Sequence, residues 1–261
     1  MSVIFFIGVL IAAFLSFKFY LLTKSGAIAS IFVGGGILLG TGIRGLFLLA
    51  VFFLTSSLLS KWKKKRKKQA ENIVEKGSTR DASQVLANGL AATIFSVLYY
   101  FFDSEFLLYG FILSLAIATS DTWASELGVL SKDRPIHIRT LKRVDRGMSG
   151  AISVFGTFMS LLGSFLISFL GYVLFSISIT TFIIITVLGF LGCMVDTVLG
   201  AYAQVSYRCQ VCGKRVEMNK HCNKPTIDTK GISWMNNDLV NFLATFGWSV
   251  VVIVLWYIIL S

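Results

Sequence analysis

No secretory leader is legible at the start of this chain. Met1 to Tyr20 has neither a basic n-region nor a small-residue cleavage site, and it reads as a first apolar span. Proline is nearly missing. Only two occur in 261 residues, both in polar loops, so neither interrupts an apolar run. Acids are scarce beside bases: 13 Asp and Glu stand against 24 Lys and Arg, for a formal charge of +11. No recognised nucleic-acid module accompanies that charge, and the loops lack base-stacking aromatics, which argues against a nucleic-acid partner. The glycines from Gly26 to Gly40 are not followed by Lys-Ser or Lys-Thr, so they read as helix-packing residues rather than a phosphate loop.

What is present is apolar. Hydrophobic residues make up 55% of the chain, with 23 Phe and a mean hydropathy of +0.77, above the usual range of soluble domains. Eight runs are candidate membrane spans, at about 3–22, 26–43, 45–60, 84–102, 105–128, 147–174, 178–203 and 236–260. The second and third are short, and Gly42 to Gly45 reads as either a tight turn or a re-entrant bend. The expected fold is therefore all-α: a polytopic helix bundle of about eight transmembrane helices, one membrane domain over residues 1–261.

Charge sets the expected orientation. Two, nine, six and six of the 24 Lys and Arg fall in the breaks after spans 1, 3, 5 and 7, and only Arg44 falls on the other side. By the positive-inside rule the basic loops are cytoplasmic, in the cell membrane, with both termini outside. The run Lys61–Lys68 (KWKKKRKK) has two readings: an anchor on anionic lipid headgroups, or a means of drawing in an anionic substrate.

Charge inside the apolar wall is the functional signal. Asp121 and Glu126 end span 5, about 140° apart around a helix. They cannot form one tight pair on one face, but both can line a cavity. Alternatively, they are interfacial acids neutralised by the next loop. That loop holds Lys142, Arg143 and Arg146 before Gly147 and Gly150, which the expected span places at a helix start. Cations, glycines and a helix N-terminus suit phosphate. Acids beside them suit Mg²⁺, and together these are the parts that phosphoryl transfer uses. Asp196 follows some twenty uncharged, mostly apolar residues, and Asp196-Thr197 echoes Asp121-Thr122. Arg80, Asp81, Gln84 and Asn88 put polar groups on one helical face, as candidates for the nucleotide and phosphate side or as polar contacts between helices, and Ser78 or Asp81 could also cap the helix. Asn236, Asn237 and Asp238 open span 8, either as a cap or as part of the site.

The last basic loop, residues 204–233, is expected to be a small cytoplasmic Cys/His insert. Cys209, Cys212, His221 and Cys222 form a Cys₃His set, a recognised zinc pattern. A redox CxxC or plain reduced thiols are the other readings.

Several of these stretches carry a resemblance. KGSTRDASQVLANG, SDTWASELGVLSK, TLKRVDRGMSGAISVFGT, DTVLGA and WMNND together resemble the integral-membrane family that includes plant phytyl-phosphate kinase. The likeness covers about Gly26 to Asn241. A more distant likeness is to phytol kinase and dolichol kinase, with Asp121, Ala124, Gly128, Lys142, Gly147 and Gly150 as counterparts, although Ala151 stands where a hydroxyl would follow. The resemblance implies a kinase that converts an isoprenoid or polyprenyl monophosphate to the diphosphate with CTP or a related nucleotide. Lys142, Arg143, Arg146 and the Gly147–Gly150 turn would hold phosphates. Asp121 and Asp196, with Glu126, would hold Mg²⁺, and Arg80, Gln84 and Asn88 would close the nucleotide side. A lipid-phosphate carrier or flippase, and a cytidylyltransferase making a CDP-lipid, are the alternatives.

Overall fold

The structure, a computed structural model, describes residues 2–62, 77 and 79–260. The basic stretch from Lys63 to Lys68, and Ser78, lie outside the described residues. The helices are α1 (Ser2–Lys18), α2 (Lys24–Lys61), α3 (Ala82–Phe102), α4 (Glu105–Gly128), α5 (Val154–Phe175), α6 (Ile179–Tyr202), α7 (Asn237–Phe242) and α8 (Trp248–Leu260). A π-helical turn, Leu243–Gly247, joins α7 to α8, so the two make one passage. Among the described residues six helical stretches are long and apolar enough to cross a membrane, and α1 is a shorter apolar helix.

Helix α2 contributes two passages rather than one. Its 38 residues would extend about 57 Å if straight. Yet Lys61 Nζ donates to Phe19 O at 2.9 Å, beside the point where α2 begins. A side chain at Gly34 would likewise meet Leu46 at 3.8 Å, twelve residues further on. The helix therefore folds back on itself at Gly42, whose φ of 67° and ψ of −156° are essentially open to glycine alone. The expected spans at 26–43 and 45–60 are the two arms of this hairpin.

Helix α4 is the centre of the bundle. Phe111, Ile112, Leu113, Leu115, Ile117 and Thr119 are all fully buried. With no charge between Glu105 and Asp121, and only small hydroxyls among its polar side chains, it can be buried on every face. Small hydroxyl side chains tie the passages together. Ser120 donates to Ser160 O of α5 at 2.8 Å, Ser164 to Thr186 O of α6 at 2.8 Å, and Trp248 Nε1 to Leu188 O at 3.0 Å. The outer helices show large apolar side chains outward, among them Phe14, Phe32, Leu58, Phe102 and Val173, as lipid-facing walls do.

Two expectations change. The sixth passage begins at Val154, not 147, with Ser153 capping it through the Gly156 N–H at 3.1 Å. Gly147 and Gly150 sit before the helix at φ 92° and 76°, and a helix cannot run through such positive angles. The turn that carries them is instead held by two short antiparallel strands, β1 (Ile136–His137) and β2 (Ala151–Ile152). The second change is the Cys/His insert. It is a four-stranded antiparallel sheet of β3 (Ser206–Cys209), β4 (Arg215–Val216), β5 (Lys220–His221) and β6 (Lys224–Lys230), in the order β4-β3-β6-β5.

Candidate functional site

A cavity of about 470 Å³ opens at the end of the bundle where α2 returns, α3 begins, α4 ends and the two polar loops meet. That size suits a small-molecule site.

Its floor is acidic. Asp121, seven residues from the end of α4, lies against Asp196, six residues from the end of α6. The central position of α4 explains the meeting: its last turns can face only other helices. With its amide nitrogen turned inward, Asn241 of α7 donates to Asp196 Oδ2 at 2.9 Å and to Asn237 O at 3.3 Å. Asp238, on the first turn of α7, is buried at the same end. Two facing carboxyl groups at this depth need a cation or a proton between them.

Glu126 points another way, as five helical steps require. It accepts a hydrogen bond from Ser60, near the end of α2. Its charge also acts on Arg80, whose guanidinium lies 5.6 Å from the centre of the Phe52 ring. Burial lowers the Arg80 pKa, and the nearby Glu126 partly offsets that shift. Gln84 and Asn88 line the wall beside Arg80. Asp81 does not line it. It caps α3, accepting from Gln84 N–H at 3.0 Å while Gln84 Oε1 accepts from Asp81 N–H at 3.2 Å.

The roof is the turn from Arg146 to Ser153. Arg146 donates through Nη2 to Lys132 O at 2.9 Å. Its Nε is buried and has no hydrogen-bond partner among the described residues. The Arg146 side chain as a whole lines the cavity. Lys142 and Arg143 lie outside the cavity. Both side chains are exposed, and their backbones hold β1: Lys142 O accepts from His137 N–H at 3.0 Å, and Arg143 bridges Ile136.

Sequence reasoning passed over Ser60, Asn241 and Glu217. Glu217 follows β4 and reaches the cavity from the insert. It accepts from Ser149 N–H at 2.9 Å through Oε1 and from Gln204 Nε2 at 2.9 Å through Oε2. Burial raises its pKa, while those two bonds and Lys230 pull it back. Nothing around Glu217 in the sequence marks it. Asn241, by contrast, lay one helical turn after Asn237, where an i, i+4 reading would have found it.

Of the other candidates, Asn237 lines the cavity and Gly147 and Gly150 are in its roof. Cys209, Cys212, His221 and Cys222 lie together in the insert, and their donor atoms all fall within 4.8 Å of one another.

Residues 7–249 match the family described as integral membrane protein DUF92. The chain is 35% identical over 246 residues to an uncharacterized membrane protein, MJ0933, of Methanocaldococcus jannaschii, an alignment covering 92% of this chain and 89% of that one. Protein PGR of Arabidopsis thaliana is 32% identical over 260 residues, with 89% and 88% covered. Protein VTE6, chloroplastic, of the same plant is 27% identical over 247 residues, with 92% of this chain and 67% of VTE6 covered. No solved structure matches the chain. Matched over nearly its whole length, the chain belongs to the DUF92 family of integral membrane proteins, the family to which its motifs pointed.

Proposed function

We propose that this protein is a kinase of isoprenoid monophosphates, transferring a phosphoryl group from CTP or a related nucleotide to make the diphosphate at the basic face of the membrane. The observation that carries the reading is the juxtaposition in one cavity of the Asp121–Asp196 pair and the cationic Arg146, at the end of a bundle whose outer walls suit lipid. The family resemblance supplies the substrate class.

In this reading a phosphate oxygen of the lipid attacks the γ-phosphorus of the donor, and the bond to the β-phosphate oxygen breaks to release the nucleoside diphosphate. The acceptor is already an anionic nucleophile, so positioning and charge neutralisation outweigh general base catalysis. Asp121 and Asp196 offer hard oxygen donors suited to Mg²⁺, which commonly takes one or two carboxylates and completes its shell with water and substrate phosphates. When bound, that ion would neutralise phosphate charge. Asn241 fixes the orientation of Asp196. Arg146 and the N–H groups of the Gly147–Gly150 turn would hold phosphate oxygens, and Arg80, steered by Glu126, would close the nucleotide side with Gln84 and Asn88.

The test uses purified protein in nanodiscs with CTP, Mg²⁺ and radiolabelled geranylgeranyl or phytyl phosphate. Diphosphate and CDP should form, and Asp121→Asn and Asp196→Asn should abolish both while the variants stay folded. Pyrophosphate release would point to cytidylyl transfer instead. Nucleotide-independent movement of the lipid phosphate between leaflets, with no diphosphate formed, would point to a carrier. Full activity in both variants would refute the site.

A further inference from the structure

The sheet of the insert is too small to stand on apolar burial. Val205, Cys209 and Val216 are its buried apolar residues, and β4 and β5 have two residues each. Something else must hold it, because a segment of this size rarely supplies its own core.

Four side chains point to what does. Cys209 ends β3, and the chain then turns through Gly213, whose N–H donates to Cys209 O at 3.0 Å. Within that turn the N–H groups of Val211 and Cys212 point at Cys209 Sγ, at 3.4 and 3.5 Å. Such bonds support a thiolate. Cys212 Sγ lies 3.5 Å from His221 Nδ1, and Cys222 Sγ lies 3.2 Å from the same nitrogen. Around a tetrahedral ion with bonds of about 2.3 Å to sulfur and about 2.0 Å to nitrogen, neighbouring donors are roughly 3.5–3.8 Å apart. The observed separations are close to that spacing.

Adjacent residues on a strand point to opposite faces, so His221 and Cys222 should not share a ligand. The backbone resolves this. Cys222 and Asn223 have φ of 52° and 59°, the left-handed pair of a tight hairpin turn between β5 and β6. That turn swings the Cys222 thiol back toward the imidazole.

We propose that Cys209, Cys212, His221 and Cys222 bind a structural Zn²⁺, and that the ion, through the sheet, holds Glu217 on the Ser149 turn of the cavity. Thiolates with one imidazole suit zinc, and four protein donors leave no open position for catalysis. The route to the cavity is short. Val216 of β4 pairs with Tyr207 of β3, and the next residue is Glu217, bonded to Ser149 N–H and to Gln204. The site stands whichever reaction the cavity carries out.

The experiment is metal analysis of the full chain, purified in detergent without chelators, by plasma mass spectrometry. About one zinc per chain is expected, and Cys212→Ser and His221→Ala should each lose it. Cys193→Ser, a buried thiol of α6 far from the set in sequence, should retain it. Cobalt substituted for zinc should give the absorption bands of a tetrahedral thiolate site. A folded protein that carries no zinc and takes up neither zinc nor cobalt overturns the site. So does a disulfide between Cys209 and Cys212, or full zinc content in both variants. The brace is tested separately by hydrogen exchange in the wild-type chain before and after chelation. Residues 147–151 should exchange about tenfold faster once zinc is removed. Unchanged exchange there, with zinc gone, overturns the link to Glu217 and leaves the metal site standing.

Discussion

Adding a single methyl group at Gly150 should separate folding from activity. The residue has φ of +76°, which costs an alanine about 1–2 kcal/mol. Space is the larger obstacle. A Cβ there would lie 2.5 Å from both Cα and Cβ of Ala201 and 2.8 Å from the Ala201 nitrogen. Non-bonded carbons settle at about 3.5–4.0 Å, so the turn must retreat by about 1 Å. Ala201 follows Gly200 on α6 and cannot yield, because α6 packs on α4 and carries Asp196. The retreat would draw Arg146 and Ser149 away from the acid pair. A misplacement of about 1 Å in a positioning group can cost about 10²-fold in rate.

The assay is the initial rate of diphosphate formation by Gly150→Ala, compared with Gly8→Ala. Nothing lies within 4 Å of a Cβ at Gly8, in the middle of α1, so the same chemical change there meets open space. The expected result is a fall of about 10²-fold in kcat for Gly150→Ala, with melting temperature lowered only modestly, and a wild-type rate for Gly8→Ala. A Gly150→Ala variant within about twofold of wild type in the proposed reaction would refute the roles given to the turn.

Asp196→Asn should lose phosphoryl transfer without losing stability, because it removes one of two like charges that face each other; a lowered melting temperature would contradict that account. Gly42→Ala meets no atom within 4 Å, so its effect is backbone strain alone, about 1–3 kcal/mol in a reversible unfolding assay; an unchanged value would mean that the α2 hairpin bends elsewhere. The loop carrying β1 should loosen in acid. Burial, aided by Lys230, Arg215 and Arg139, lowers the His137 imidazole from 6.5, and its Nδ1 accepts from Arg139 N–H at 3.2 Å. The unfolded chain therefore takes up the proton first, so this stability is fully present above about 6.5 and lost as pH falls below it. Protection factors of residues 136–143, which correct hydrogen exchange for its intrinsic pH dependence, should fall from pH 7.5 to 5.5 in wild type and change less in His137→Gln.

The site was legible where its residues interrupted a strong pattern. Asp196 stood out after about twenty uncharged, mostly apolar residues, and Arg80, Gln84 and Asn88 by their spacing of four. The basic loop defeated sequence reasoning. Lys142, Arg143 and Arg146 are alike in composition, yet only Arg146 lines the cavity. What separates them is the packing of Gly150 on Ala201 and the β1–β2 pairing, contacts between segments far apart in the chain. Ser60 and Glu217 were invisible for the same reason, since each gains its role from a partner more than ten residues away. The sheet was hidden for a simpler one: strands of two residues are too short to show a period.

The meeting of Asp121 with Asp196, however, follows from a feature that hydropathy alone obscures. Helix α4 is the least apolar of the spanning helices, and it is also the most buried. The two facts belong together. Against lipid a helix needs large apolar side chains, whereas against other helices it can use Ser114, Thr119, Ser120 and Thr122, each fully or almost fully buried here. A span rich in small hydroxyls is thus marked as interior. An acid on the last turns of an interior helix cannot face lipid, so it must face whatever its neighbours bring to that depth. Among the helices packed on α4, α6 brings its own acid, Asp196, to the same level, and α2 brings Ser60 near its end. The arrangement at the centre of the cavity is thus a consequence of which helix is innermost.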